Sequence, residues 1–238
     1  MTDYVRLPLK KAYNVRDLGG YACRDGVTAF RRFVRADGLE NLDESDVEFL
    51  KEYGIRTVID LRSGDELALW PDPPALTAFA DCINIPLIMG NALDDSRFAD
   101  VPPERFLAEY YLDILKKSQI ALCEVIETAA SAREGGVLFH CAAGKDRTGI
   151  IAALLLGLAG VSVSDILSNY EVTYTFIRHN AILMAQNAQS PIEHMYSQRD
   201  SLEAGLEHIN TFGGILDYLE KIDVTSETLE RIRKRLTT

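Results

Sequence analysis

Residues 140–149 determine how the rest of this chain is interpreted, and they read His140-Cys141-Ala142-Ala143-Gly144-Lys145-Asp146-Arg147-Thr148-Gly149. The short apolar run at 137–139 indicates a buried strand, and the long apolar run at 149–156 indicates a buried helix. A tight loop between a strand and the first turn of a helix gathers backbone N–H groups that have no partner within the helix. Because the helix dipole also favours negative charge there, such a loop binds an oxyanion.

Three side chains of this loop suit nucleophilic displacement at phosphorus. The helix start, Arg147 and the neighbouring His140 all favour the thiolate of Cys141, which is the nucleophilic form of the residue. Arg147 offers a planar fork of donors that matches two oxygens of a phosphoryl group. Thr148 can donate a hydrogen bond to the sulfur. We therefore expect a thiophosphoryl-enzyme intermediate that forms without a metal ion or any other cofactor.

Other interpretations of this loop stay open from the residues alone. The cysteine could be a buried structural residue, or the loop could belong to a sulfur-transfer or arsenate-reducing enzyme. A catalytically silent phosphate-binding module is a non-enzyme alternative. The complete set of Cys141, Arg147 and Thr148 favours phosphoryl transfer, because several constrained positions rarely coincide by chance.

Residues 140–149 resemble the active loop of cysteine-dependent protein tyrosine phosphatases, and more narrowly the bacterial atypical group whose loop reads HCxxGKDRTG. Three further blocks are similar to that family: YNVRDLGGY at 13–21, GIRTVIDLRS at 54–63, and the closing helices at 212–236. The resemblance implies a cysteine-phosphatase-like α/β fold and hydrolysis of phosphotyrosine, with phosphoserine and phosphothreonine as further substrates. Phosphoinositides or inositol phosphates are the alternative substrates within the same class.

We expect the phosphate to be bound by loop residues and by one arginine outside the loop. These residues are His140, Ala142, Ala143, Gly144, Lys145 and Arg62. Lys145 could reach a second phosphate on the same substrate, or it could be a solvated cation that only raises the local potential. Arg62, at the end of a predicted strand, could brace the loop or contact the substrate.

Several aspartates are candidates for the group that handles the proton. Asp146 lies inside the loop and is our choice for proton or water handling; the alternative is a loop-bracing carboxylate paired with an arginine. Asp72 follows Trp70-Pro71, as in the acid loop of classical tyrosine phosphatases, but it precedes Cys141 by 69 residues (141 − 72), far earlier than the classical order. Asp60, Asp94 and Asp95 are the remaining candidates, and we expect Asp60 to pair with an arginine instead.

Composition restricts the partners and the location of the protein. A net charge of −11 disfavours nucleic acid and broad adsorption to anionic lipid. The longest apolar run, at 150–161, is too short to span a bilayer, so we expect no stable membrane insertion. The four cysteines lack metal-like spacing, and a catalytic thiol needs a reducing compartment, which predicts the cytoplasm. We expect a single phosphatase domain over 1–238, whereas the oligomeric state cannot be read from the sequence.

Periodicity predicts a central, mostly parallel sheet flanked by helices, with a helical C-terminal half. Predicted strands lie at 27–35, 56–61, 82–86 and 137–140; predicted helices lie at 43–53, 104–132, 147–159, 164–186 and 192–208, with two short ones after that. We also expect an ion pair between Arg16 and Asp17. The cationic residues at 231–235 are interpreted as complementing the dipole of their own helix, with a membrane-surface contact as the alternative.

Overall fold

The loop at 140–149 begins at the carboxyl end of the central strand of a five-stranded sheet. The structure is a computed structural model of the chain and describes residues 2–87, 100–187 and 192–237. Within these residues the sheet consists of β1 (Arg16–Asp17), β4 (Phe33–Ala36), β5 (Ile55–Asp60), β6 (Asp81–Asn84) and β7 (Gly136–His140). The two remaining strands, β2 (Ala22–Cys23) and β3 (Gly26–Val27), form a separate short hairpin.

The strand order is β1-β4-β7-β5-β6, so that β7 lies in the middle of the sheet. The strands β4, β7, β5 and β6 are mutually parallel, and β1 adds an antiparallel edge. The predicted α/β fold with a mostly parallel central sheet is therefore confirmed. In sheets of this kind ligands bind outside the carboxyl ends of the strands, which is where β7 delivers Cys141.

Helices cover the sheet and make up most of the C-terminal half, as predicted. They are α1 (Glu44–Tyr53), α2 (Gly64–Leu69), α3 (Phe106–Lys117), α4 (Gln119–Ser131), α5 (Asp146–Ala159), α6 (Val163–Glu171), α7 (Thr173–Asn187), α8 (Arg199–Asn210), α9 (Ile215–Lys221) and α10 (Ser226–Thr237). Short 3-10 turns occur at Pro74–Ala78, Pro103–Arg105 and Ile192–Met195.

Three long helices expected from periodicity are interrupted. The predicted helix at 104–132 divides at Ser118 into α3 and α4, and the one at 164–186 divides at Val172 into α6 and α7. The one at 192–208 is a 3-10 turn followed by α8. At the first break the Ser118 hydroxyl donates to the carbonyl of Leu87, a tertiary contact that the apolar pattern does not contain.

The predicted strand at 27–35 is also wrong as a single element. Its two ends belong to β3 and β4, and the residues between them turn. Arg31 has a left-handed backbone with φ +66°. Its N–H donates to Asp17 Oδ2 at 2.8 Å, so a buried carboxylate holds the turn in place.

Side chains alternate between the two faces of the sheet, and each face has its own apolar core. Phe33, Ile59 and Phe139 pack with α3–α6 and with the C-terminal helices. Val34 and Leu138 pack on the opposite face, with α1 and the N-terminal segment. Since all five residues of β7 are buried, the strand that carries the loop is fixed on both sides.

Lys234 and Arg235 lie in the last turn of α10, where cations complement the dipole of their own helix, and Arg233 and Arg235 also donate to carbonyls of other segments. Arg235 donates to the carbonyls of Ala132 at 2.8 Å and Arg133 at 2.9 Å, just past the end of α4, and also to Gly135. Arg233 donates to Leu158 O near the end of α5 at 3.3 Å. These bonds satisfy helix-terminal carbonyls and connect α10 to the start of β7.

No helix among the described residues is long and apolar enough to cross a membrane.

We expect Arg235→Gln to lower the free energy of unfolding by about 1–3 kcal/mol, because several carbonyls lose a charged donor. Urea denaturation measures this change. Arg231→Gln is the matched control, because Arg231 is exposed on the same helix and its loss changes the net charge equally. Equal stability of the two variants would contradict a bridging role for Arg235.

Candidate active site

Three consecutive carbonyl groups of the loop are hydrogen-bonded to residues outside it. The Ala142 carbonyl accepts from the Gly38 N–H at 2.8 Å. Asn14 Nδ2 donates to the carbonyls of Ala143 at 3.1 Å and Gly144 at 2.9 Å. A trans peptide unit points its C=O and its N–H in opposite directions, so carbonyls fixed outward direct the following N–H groups inward. The loop is thereby an anion-binding concavity.

Position 144 requires glycine because its backbone is left-handed and because there is no room for a Cβ atom. Gly144 has φ +63°, and a Cβ there would lie 2.5 Å from the Ala36 carbonyl oxygen at the end of β4. A side chain would push the loop away from the sheet edge.

Asn14 was not identified from the sequence as a site residue, although it lies in the YNVRDLGGY block. Its backbone is fixed by Asp37, whose carboxylate accepts from the N–H of Tyr13 and from that of Asn14 at 2.9 Å. Burial raises the pKa of Asp37 to about 6 despite these hydrogen bonds. The only sequence signal was the block itself, because the contact joins residues 14 and 144.

The sulfur of Cys141 lies at the junction of β7 and α5, and the residue is 2 % exposed. Thr148, in the first turn of α5, donates its hydroxyl proton to Cys141 Sγ over 3.2 Å. The first turn of a helix thus faces the sulfur, as the sequence analysis expects for a thiolate nucleophile.

Arg147 is oriented by Glu66, a second residue that the sequence analysis did not identify. Nη1 and Nη2 of Arg147 donate to the two carboxylate oxygens of Glu66 at 2.6 and 2.8 Å. Glu66 in turn belongs to a capping box with Ser63 at the start of α2. Burial alone would lower the pKa of Arg147, but the charges of Cys141 and Glu66 raise it above the ordinary value. The guanidinium is therefore charged and held in one orientation.

Arg62 lies in a cluster of carboxylates behind the loop. It donates to Asp60 at 2.9 Å and to Asp72 at 2.7 Å, and it lies 3.4 Å from Glu40. The expected pairing of Asp60 with an arginine is confirmed. Asp72 Oδ2 also lies 3.0 Å from His140 Nε2, so this aspartate contacts the residue before the cysteine. Asp72 is thus engaged by a structural network, although it lies near the loop.

Among the described residues, Asp60, Asp72 and His140 form one group with ligand atoms within 4.8 Å of one another. The guanidinium of Arg62 is bound to both carboxylates of this group, at 2.9 and 2.7 Å. A cation is already supplied by the protein at this place, so the donor set does not fit a metal ion.

Asp146 is held by tyrosine and lysine, not by the arginine that the bracing interpretation would require. The Tyr111 hydroxyl donates to Asp146 Oδ1 at 2.6 Å and lies 2.5 Å from the Tyr170 hydroxyl. Lys145 Nζ lies 3.3 Å from the same Oδ1. Burial, followed by the charge of Asp146, raises the pKa of Tyr111 well above its ordinary value, so this hydroxyl stays a donor.

Lys145 is 1 % exposed, and its interpretation as a solvated cation is wrong. Its ammonium group donates to the carbonyl of His194 and to that of Tyr196, the latter at 3.2 Å. The ring of His194 stacks on Phe106 with centroids 3.9 Å apart. In this arrangement Lys145 is directed at protein carbonyls.

Tyr110 is a third residue that the sequence analysis did not identify. Burial raises the pKa of its hydroxyl, and Arg147, Asp146 and Cys141 are among the charges that act on it. Helical periodicity would have assigned it to the core. Asp94 and Asp95 lie outside the described residues.

The expected ion pair between Arg16 and Asp17 does not occur. Neighbouring residues on a strand point to opposite faces, and β1 separates the two side chains in this way. Arg16 Nη2 donates to the Thr173 hydroxyl at 3.0 Å, whereas Asp17 accepts from Tyr53 at 2.7 Å.

The mostly parallel α/β sheet with a cysteine loop at its carboxyl edge agrees with a phosphoric monoester hydrolase, and the comparisons with known proteins show that class. The chain belongs to the tyrosine phosphatase family, whose sequence profile it matches over residues 7–238, and within it to the bacterial atypical group.

Two curated relatives illustrate this membership. The chain is 32 % identical over 231 residues to a tyrosine-protein phosphatase of Nostoc commune, covering 90 % of this chain and 77 % of the relative. It is 30 % identical over 191 residues to the triple specificity protein phosphatase PtpB of Mycobacterium tuberculosis, covering 68 % and 67 %. Among solved structures, TpbA of P. aeruginosa in complex with pTyr aligns with 18 % identity and a TM-score of 0.33, covering 75 % of this chain and 86 % of that one.

We expect Glu66→Gln to reduce kcat/KM by about tenfold to a hundredfold, because Arg147 loses the charge that orients it. Glu66→Gln also weakens the N-terminus of α2, so Ser63→Ala is the control that removes the cap and leaves the contact with Arg147. If Ser63→Ala lowers kcat/KM as much as Glu66→Gln does, the effect comes from the helix and not from Arg147.

The stability difference between Glu66→Gln and the parent should depend on pH. The contacts with Arg147 hold the pKa of Glu66 below its ordinary value against the opposing effect of burial. A depressed carboxyl pKa contributes stability that is present above the unfolded-state pKa and is lost as the pH falls through the folded-state pKa. Urea denaturation at pH 7 and at pH 4 should therefore show a smaller difference at pH 4, and an equal or larger one would contradict this assignment.

Proposed function

We propose that this protein hydrolyses phosphotyrosine in proteins through a covalent thiophosphoryl-enzyme intermediate on Cys141. The observation that carries the proposal is the arrangement of residues 140–149. Its sulfur accepts a hydrogen bond from Thr148 at 3.2 Å, and its carbonyls are fixed outward so that its N–H groups converge. The proposed catalytic residues are Cys141, Arg147, Asp146 and Thr148.

In the first half-reaction a lone pair of the Cys141 sulfur forms the S–P bond while the bond between phosphorus and the phenolic oxygen breaks. The N–H groups of the loop and the guanidinium of Arg147 stabilise the equatorial oxygens, where negative charge is spread in the transition state. In the second half-reaction a water oxygen bonds to phosphorus and the electron pair of the S–P bond returns to sulfur. Thr148 stabilises the departing thiolate.

Asp146 handles the proton in both halves of this scheme. In this scheme Asp146 enters the first half-reaction as the carboxylic acid and gives its proton to the phenolic oxygen as the P–O bond breaks. The resulting carboxylate then accepts a proton from the attacking water, which regenerates the carboxylic acid. Support comes from its fixed position: Tyr111 and Lys145 both contact Oδ1, which leaves the carboxylate little rotational freedom. Asp72, the alternative, is engaged by Arg62 and lies against His140.

We further propose a single catalytic domain and a cytoplasmic location. The cores on the two faces of the sheet share the strands β4, β5 and β7, which favours one folding unit. Cys23, Cys82, Cys123 and Cys141 are all free thiols, which agrees with a reducing compartment.

The covalent intermediate is tested by rapid acid quench with a 32P-labelled phosphotyrosyl peptide. We expect label on the parent protein and none on Cys141→Ser, because a hydroxyl is far less nucleophilic than a thiolate. Cys123→Ser is the matched control, since it removes a half-buried thiol on α4, and it should be labelled like the parent. Label on Cys141→Ser, or measurable turnover by it, would contradict the mechanism.

The role of Asp146 is tested by Asp146→Asn, for which we expect kcat to fall by about 10²–10⁴-fold while KM changes little. Asp165→Asn is the control, because Asp165 occupies the first turn of α6 without contacting the loop. A kcat for Asp146→Asn within about threefold of the parent would exclude Asp146 as the acid and base.

The substrate is tested by phosphate release from a phosphotyrosyl peptide, a phosphoseryl peptide and a set of phosphoinositides, with Cys141→Ser as the blank. We expect the highest kcat/KM with the phosphotyrosyl peptide. A preference for phosphoinositides would contradict the proposed substrate and would assign this site to lipid or inositol phosphates.

A further inference from the structure

Three arginines lie directly opposite one another on neighbouring strand segments. Arg16 on β1 pairs with Arg35 on β4, and Arg6 forms an isolated bridge with Arg16 from the other side. Residues paired in this way project to the same face of a sheet. Here that face is the one covered by α6 and α7, where Arg35 reaches Asn169 and Arg16 reaches Thr173. We call these three residues the arginine row.

The row runs from the surface to the underside of the loop at 140–149. Arg6 is exposed, whereas Arg16 and Arg35 are 2 % and 0 % exposed. At the inner end Arg35 Nη2 donates to the Gly144 carbonyl at 2.7 Å. This is the carbonyl that also accepts from Asn14.

The two buried arginines have no carboxylate partner among the residues that the structure describes. Nε and Nη1 of Arg16 and Nε of Arg35 are buried without a hydrogen-bond partner. Burial, and next to it the charge of Arg35, lowers the pKa of Arg16 well below the ordinary value, and burial lowers that of Arg35 to about 10.

Such an arrangement destabilises the folded protein. Like charges directly opposite one another on neighbouring strands repel, and a buried charge without a counter-ion has a large desolvation cost. Two other arginines near the loop have carboxylate partners: Arg62 binds three carboxylates and Arg147 binds one. Arg16 instead contacts the Thr173 hydroxyl and the Phe176 ring, and Arg35 contacts Asn169 and the Gly144 carbonyl. A buried arginine pair without carboxylate partners beside the loop therefore points to a role in that loop.

Direct binding of a ligand by Arg16 is excluded by access, because its unpartnered atoms have no exposed surface. Arg35 instead acts through the peptide group that joins Gly144 to Lys145. A charged donor on the carbonyl oxygen polarises this peptide, and the N–H on its other side becomes a stronger donor toward the inside of the loop.

We propose that Arg35 is a positioning residue for phosphoryl transfer, which polarises the Gly144–Lys145 peptide and supplies, together with Arg16, buried positive charge that the bound phosphoryl group neutralises. The proposal rests on the proposed function of residues 140–149. According to this proposal, the arginine row lowers the stability of the folded protein and tightens the binding of an oxyanion.

The test is the affinity of the purified protein for inorganic tungstate, a phosphate analogue, measured by isothermal titration calorimetry. We expect Arg35→Gln to weaken binding about tenfold or more, since hydrogen bonds to charged groups contribute that much. Arg35→Lys keeps the charge but not the forked donor geometry, so it should lose clearly less tungstate affinity than Arg35→Gln. Arg235→Gln is the matched control: it also removes a guanidinium bound to backbone carbonyls, but far from the loop, and its tungstate affinity should not change.

Arg16→Met keeps the proposal testable if Arg35→Gln does not fold. Arg16 does not touch the loop, and methionine is an apolar side chain of similar length. Removing an unpaired buried charge next to Arg35 should raise the thermal midpoint of the unliganded protein, while tungstate affinity falls by about threefold or more. A residue with a merely structural role would not lower affinity while it raises stability.

Three outcomes would overturn the proposal: unchanged tungstate affinity of Arg35→Gln, equal losses in Arg35→Gln and Arg35→Lys, or unchanged affinity of Arg16→Met. Failure of the proposed function is recognised separately, because the parent protein would then bind no tungstate and form no phosphoenzyme. In that case the proposed role of Arg35 in phosphoryl transfer is also contradicted.

Discussion

The outward hydrogen bonding of the loop carbonyls is the constraint on which the site depends. A loop of ten residues with free carbonyls would turn some of them inward and repel an anion. Asn14 prevents this by binding two consecutive carbonyls, Ala143 and Gly144, from a segment almost 130 residues earlier. Gly144 makes the close approach to β4 possible. The inner N–H groups then converge on one point.

Two of the arginines around the loop are paired with carboxylates. The carboxylate of Glu66 accepts two hydrogen bonds from Arg147 and fixes the orientation of its guanidinium. Where carboxylates cluster behind the loop, Arg62 neutralises them. Arg16 and Arg35 lack such carboxylate partners among the described residues, and Arg35 donates to the Gly144 carbonyl of the loop. In our proposal these two arginines lower the stability of the folded protein and strengthen the binding of an oxyanion. Such an exchange of stability for function is common at functional sites.

The elements that could be predicted from the sequence are those that leave a local pattern of apolar residues. The apolar runs around residues 140–149 correctly indicated the central strand and the helix α5, because burial on all sides leaves a continuous apolar run. Contacts between distant segments leave no such pattern, and for this reason Asn14, Glu66 and Tyr110 were not identified. The ion pair expected between Arg16 and Asp17 was wrong because strand geometry separates adjacent side chains. Helix breaks such as Ser118 depend on tertiary hydrogen bonds and were missed for the same reason.

A crystal structure of Cys141→Ser with inorganic tungstate tests the central claim most directly. The account predicts the oxyanion inside the loop, with the N–H groups that follow Ala142, Ala143 and Gly144 about 3 Å from its oxygens. The carbonyls of these residues should keep their bonds to Gly38, Asn14 and Arg35. Tungstate bound elsewhere, or a loop whose carbonyls turn toward the oxyanion, would contradict the account.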